Sequence, residues 1–270
     1  MLPPEYRLEI RTRLPDRGSA ASSGKPPLLF VHGGYCDSWC WEPYFLPFFA
    51  SRGYAAHAVS LRGHGGSSGR ETLFAAGLDD YAGDVEHVAS TLPAPPVLIG
   101  HSMGAAVVER MLGAHPIRAA ALIAPVPPTG LLPMATRLAF QRPDYLLQMS
   151  RFDPTRLDGR ALATLRPFYF SDDVDADILQ EAVRHFGNES PRALIDLSLR
   201  LHWLLPERAG IPVLVLGAEG DRICTPREVL ATGRHHRVQA EILPGLAHMM
   251  MLDRDWRTPA GRLLRWLAAL

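Results

Sequence analysis

The sequence carries no net charge: 28 Lys plus Arg balance 28 Asp plus Glu over 270 residues. No overall field draws such a chain to nucleic acid or to an anionic membrane, so small neutral or apolar partners are expected. Cysteine is scarce. Cys36, Cys40 and Cys224 are an odd set with no paired framework and no His cluster to complete a zinc site, so reduced, buried thiols and no metal are expected. No run reaches the roughly 18 uninterrupted apolar residues of a bilayer span, so no stable membrane anchor is expected. The opening MLPPEYRLEIRTR lacks the apolar core of a signal peptide, which makes a cytoplasmic protein the expectation. Internal repeats and low-complexity tracts are absent as well.

What is present is a rhythm. Tyr6, Leu8 and Ile10 alternate with charged residues, the period of a strand with one wet face. Leu28 to Val31 is wholly apolar and ends in His32-Gly33-Gly34, as expected of a strand buried on both faces. A helix-like stretch from Trp39 to Ser51, a strand at Ala55 to Ser60 and an amphipathic helix from Gly77 to Leu92 follow. Val97 to Ile99 is another strand, Met103 to His115 another helix, and Ala119 to Ala124 another strand. This alternation implies a parallel sheet with helices on both faces. Pro125-Val126-Pro127-Pro128 interrupts it, and strands resume only at Val213 to Gly217 and Gln239 to Leu243, with helices near Arg227 to Gly233 and from Thr258 onward. The expected organisation is a core over 1–125, a helical cap inserted over 126–209, and a second part of the core over 210–270.

Two stretches fit Gly-x-Ser-x-Gly: GHSMG around Ser102 and GGSSG around Ser67. A nucleophile elbow needs a strand ending just before the serine and a helix starting just after it, so that the turn exposes the hydroxyl and the helix N-terminus favours developing negative charge. Ser102 has both, between Val97-Leu98-Ile99 and Ala105 to Leu112. GGSSG lies five residues beyond its strand in a glycine-rich stretch and reads as a turn. Ser102 is the candidate nucleophile.

With His32-Gly33-Gly34, Leu61-Arg62-Gly63-His64-Gly65 and Gly100-His101-Ser102-Met103-Gly104 in this order, the chain resembles the α/β-hydrolase superfamily over nearly its whole length. The resemblance implies a mostly parallel eight-stranded sheet with helices on both faces and a helical cap after the sixth strand. It also implies the chain order Ser, then Asp or Glu, then His. Asp221, just past the strand Leu214 to Gly217, matches the position of the acid, with Glu219 two residues away as the rival. His248, after Glu241-Ile242-Leu243 and a short loop, matches the base among eleven histidines. His32 and His64 are read as orienting backbone, His101 as facing away from the nucleophile, and His235 and His236 as a solvated pair with metal binding the minor option. His202 either lines the cap or sits in its core.

The expected oxyanion donors are the backbone N–H groups of Met103 and Gly34, with Tyr35 as the fallback. The chain has His-Gly-Gly-Tyr, which departs from the longer glycine run of one lipase and esterase branch. Tyr35, Trp39, Phe140, Tyr145, Met149, Phe168 and Trp203 are the expected pocket residues, although aromatic and Met side chains at helical spacing also serve as packing. The expected function is a cofactor-free serine hydrolase of small apolar carboxylic esters: medium-chain, aryl, lactone or monoacylglycerol-like. Thioesterase, amidase and hydroxynitrile-lyase chemistry are alternatives on the same residues, with perhydrolase or haloperoxidase behaviour a further side activity. A ligand receptor without catalysis is the alternative of another class.

Overall fold

A computed structural model describes residues 6–15, 24–150, 159–199 and 210–270. Among the described residues seven strands form one sheet: β1 (Ile10–Arg13), β2 (Leu28–Val31), β3 (Ala56–Val59), β4 (Val97–His101), β5 (Ala119–Ile123), β6 (Val213–Ala218) and β7 (Glu241–Leu243). Their order is β1-β3-β2-β4-β5-β6-β7, with β1 antiparallel to β3 and every other pair parallel. The expected eighth strand is absent among the described residues.

Parallel neighbours need crossovers, and the helices supply them. α1 (Phe45–Ala50) follows β2, α2 (Leu78–Thr91) follows β3, α3 (Met103–Met111) follows β4, and α9 (Pro226–His235) follows β6. α10 (Arg257–Leu267) closes the chain and packs on α1, while α2 packs on α3, so both faces of the sheet are covered. β2, β4 and β5 are buried at every position, which is why they read as apolar runs without alternation. Burying each Leu, Ile or Phe side chain of these runs contributes roughly 1.5–3 kcal/mol. The single helix expected at Trp39 to Ser51 is instead a 3-10 turn at Ser38–Trp41 followed by α1. Pro43 and Pro47 lack the N–H that a continuous helix would use.

Between β5 and β6 the described chain is helical: α4 (Leu132–Gln141), α5 (Pro143–Ser150), α6 (Gly159–Tyr169), α7 (Ala176–Arg184) and α8 (Pro191–Ser198). Among the described residues no helix is long and apolar enough to cross a membrane. The ends of β2, β4, β6 and β7 lead into the loops carrying His32 to Tyr35, Ser102, Asp221 and His248. Ligands of open α/β sheets bind there, outside the carboxyl ends of the strands.

Candidate active site

β4 runs directly into α3 through Ser102, whose φ of 53° and ψ of −116° lie where a non-glycine residue is strained. The flanking glycines permit this turn for a steric reason. A Cβ on Gly100 would lie 2.3 Å from the Gly104 carbonyl oxygen, and one on Gly104 would lie 2.4 Å from that of His32. The rival GGSSG is a turn, as expected. Ser67 donates to the Ser60 carbonyl at 2.6 Å and accepts from the Glu9 N–H at 2.8 Å, which consumes its hydroxyl in closing the loop.

Asp221 and His248 meet although 27 residues separate them: His248 Nδ1 lies 2.7 Å from Asp221 Oδ2, and both side chains are buried. The other carboxylate oxygen of Asp221 accepts the N–H groups of Ile223 and Cys224 at 2.8 and 2.9 Å. Glu219 points elsewhere, accepting from the Gly245 N–H at 3.4 Å. The His248 loop is fastened from behind. Asp253 accepts the Ala247 N–H at 2.7 Å and also holds the N–H and hydroxyl of Ser171, which links that loop to the end of α6. Burial pushes the Asp253 carboxyl upward.

The other histidines have different duties. His101 lies beside His248, ring centroids 4.7 Å apart, and its Nε2–H donates to the His248 carbonyl at 3.0 Å. Burial, then His248, holds His101 well below the ordinary imidazole value, so it is neutral. His32 Nε2 accepts the Leu61 N–H at 3.0 Å, joining the loops after β2 and β3; burial pushes its value down to about 4. His64 pairs with Glu189 at 3.2 Å. His236 departs from its expected solvated place: it faces inward and bonds Glu109 of α3 at 2.6 Å. No three metal-ligating side chains gather among the described residues.

Ser102, Met103, Gly34, Tyr35 and His248 line one cavity of about 260 Å³, whose remaining wall is mostly apolar. Of the expected pocket residues, Tyr35, Tyr145 and Met149 reach it. Three do not. Trp39 stacks flat on His185, with ring centroids 4.6 Å apart, on another side of the β2 loop. Phe168 is buried beneath Tyr145, whose ring it stacks against at 4.0 Å. Phe140 is 85% exposed, on the outer face of α4. Trp203, with His202, lies outside the described residues.

The cavity takes instead Leu131, Met134 and Ala135 from the start of α4, Leu194 and Leu197 from α8, and Tyr169, one position past Phe168. Helical phase decides such choices, and it was not readable in short helices with apolar residues on several faces. Cys224 also reaches the cavity that Ser102 lines, and burial raises its thiol well above the ordinary value. Its place three residues after Asp221 was the available signal. The Tyr35 N–H is engaged by Glu189 Oε2 at 3.2 Å, which leaves Gly34 as the β2-loop amide for the cavity.

The model of the alpha/beta hydrolase family matches residues 28–258. The esterase of Thermogutta terrifontis superposes with a TM-score of 0.73 at 19% identity, covering 98% of this chain and 94% of that one. The monoacylglycerol lipase of Paleococcus ferrophilus superposes with a TM-score of 0.68 at 19% identity, covering 97% and 99%. At such identities the likeness is one of fold. A curated relative, the pyrethroid hydrolase of Sphingobium wenxiniae, is 28% identical over 96 residues, 36% of this chain and 34% of its own length. The match therefore spans about a third of that relative. The chain belongs to the alpha/beta hydrolase family.

Proposed function

We propose that this alpha/beta hydrolase is a serine hydrolase of carboxylic esters that works through an acyl-enzyme. The observation that carries the reading is the buried His248–Asp221 bond of 2.7 Å opening onto the same apolar cavity as the strained Ser102 elbow.

A serine hydroxyl is a weak nucleophile until a base takes its proton. His248 Nδ1–H is committed to Asp221, so its Nε2 carries the lone pair. As Ser102 attacks the ester carbonyl, Nε2 accepts the hydroxyl proton and Asp221 balances the imidazolium charge without itself becoming protonated. Met103 and Gly34 N–H groups receive the oxyanion, with the N-terminus of α3 behind Met103 adding its dipole. The imidazolium then gives its proton to the leaving alkoxide, and water repeats the sequence on the acyl-enzyme.

The helices after β5 act as a cap whose Leu131, Met134, Leu194 and Leu197 supply an apolar wall for an acyl or aryl group. The relative named a pyrethroid hydrolase and the neighbours named esterase and monoacylglycerol lipase support esters with a sizeable apolar part. The test is turnover of a p-nitrophenyl ester series by the parent and by Ser102→Ala. The parent is expected to hydrolyse the series with an optimum at intermediate acyl length, and the variant to lose at least about 10³-fold. Equal turnover by both proteins would remove Ser102 from the mechanism.

A further inference from the structure

The loop between α7 and α8 places a carboxylate where the proposed chemistry has no direct use for one. Glu189 is fully buried, and its oxygens take four donors. Oε1 accepts the Tyr81 hydroxyl at 2.7 Å and the Ser190 N–H at 2.6 Å. Oε2 accepts His64 Nε2–H and the Tyr35 N–H, each at 3.2 Å. Because the opposite ring nitrogen of His64 sits 2.9 Å from the Arg62 carbonyl, which can only accept, both nitrogens must donate and the ring is an imidazolium. Burial opposes charge on both partners, and their mutual attraction overcomes it: His64 is raised and Glu189 lowered from the ordinary values. The ring of neutral His32, 5.0 Å from that of His64, the Tyr81 ring, Asp37 and the Cys36 thiol complete the polar surroundings of the pair.

This pair grips the β2 loop at its most strained residue. Tyr35 has a φ of 62°, a left-handed conformation that costs a non-glycine residue roughly 1–2 kcal/mol. Its N–H goes to Glu189, and its carbonyl accepts the Gly187 N–H at 2.8 Å, so one segment of the insertion clamps Tyr35 from both sides. Gly34 immediately precedes it. A Cβ on Gly34 would lie 3.4 Å from Glu189 Oε2 and 3.9 Å from Met103 Sδ, which puts Gly34 beside both the carboxylate and the Met103 side chain.

We propose that Glu189, kept ionised by His64, is a positioning residue that holds Tyr35 left-handed and thereby keeps the Gly34 N–H aimed at the oxyanion over Ser102. The proposal rests on the reading of Ser102 as an ester-cleaving nucleophile. It makes closure of the insertion over the core a condition for a complete oxyanion hole. Substrate affinity owes little to it, because the Gly34 bond strengthens as negative charge develops.

Glu189→Gln is the direct test. An amide presents two N–H donors where four donors already converge, so it cannot satisfy His64, Tyr35, Tyr81 and Ser190 together. The expected result is a fall in kcat of about 10²-fold, the scale of one lost oxyanion donor, with KM within about twofold. Affinity for a trifluoromethyl ketone, whose adduct with Ser102 carries the oxyanion, falls by the same factor. A parent that turns over no ester and takes no fluorophosphonate label would defeat the Ser102 reading. An active parent beside a Glu189→Gln variant of unchanged kcat and ketone affinity would defeat the positioning role alone. If Glu189→Gln does not fold, His64→Gln decides. It keeps a side-chain donor but removes the cation, so burial raises the Glu189 carboxyl and the acid limb of kcat moves to higher pH, taking up a second proton. An acid limb identical to the parent's overturns the proposal.

Discussion

Replacing Asp221 by Asn separates the geometry of the candidate site from its proton chemistry. Oδ1 of Asp221 accepts two backbone N–H groups, from Ile223 at 2.8 Å and Cys224 at 2.9 Å, and Oδ2 faces His248 Nδ1 at 2.7 Å. An amide nitrogen in the first place would oppose two buried donors, each costing about 1–3 kcal/mol when left unmatched. The Asn carbonyl therefore stays with the backbone, and its NH2 faces His248. Nδ1 must then accept, which moves the imidazole proton to Nε2, the atom that should take the Ser102 proton. The wrong tautomer costs about 10⁴-fold in kcat, equivalent to about 5 kcal/mol of barrier. KM should stay within about twofold, because the cavity keeps its shape. Steady-state hydrolysis of p-nitrophenyl butyrate measures kcat, and thermal denaturation checks that the fold survives. An Asn variant within tenfold of the parent would refute both the tautomer argument and the place of Asp221 in the mechanism.

Gly104→Ala should cost more stability than a surface substitution, at least about 3 kcal/mol by chemical denaturation, because its Cβ would meet the His32 and Val31 carbonyl oxygens at 2.4 and 2.5 Å. Both are backbone atoms of the loop and strand beside the elbow, and neither can yield as a side chain would. Met134→Trp fills part of the cavity and should lower kcat/KM at least tenfold for octanoate esters while sparing acetate, as read from the p-nitrophenyl series. His64→Gln should destabilise the fold in a pH-dependent way, by about 3 kcal/mol at its greatest. Since the folded His64 value is raised, its contribution is full below the unfolded imidazole value near 6.5 and fades as pH rises through the folded value. The gap in melting temperature between parent and variant should thus be wider at pH 6 than at alkaline pH, and a gap that widens with pH contradicts the imidazolium assignment.

The features legible in the sequence are those that local chemistry determines. β2, β4, β5 and β6 stand out because buried parallel strands need unbroken apolar runs, whereas β1, an antiparallel edge strand expected around Tyr6 to Ile10, lies at Ile10–Arg13; the elbow stands out because Gly100 and Gly104 have no sterically possible substitute. Asp221 and His248 could be placed because each follows a strand end in a set chain order. What sequence did not disclose depends on which way an insertion helix turns or on contacts between distant segments. Phe168 faces the interior of the insertion while its neighbour Tyr169 reaches the cavity, and Phe140 faces outward from the helix whose first turn lines it. Glu189 had no signal at all: its partners His64 and Tyr35 lie 125 and 154 residues away, and the acid before Ser190-Pro191 reads as an ordinary residue ahead of a helix. Likewise His236, read with His235 as surface charge, is drawn inward by Glu109 across 127 residues.

The central claim is that Ser102 is the nucleophile, and covalent labelling tests it most directly. Incubation with a fluorophosphonate followed by peptide mapping should place one adduct on Ser102, absent from Ser102→Ala and formed far more slowly in His248→Ala. An adduct on another residue, or equal labelling of the parent and Ser102→Ala, would contradict it.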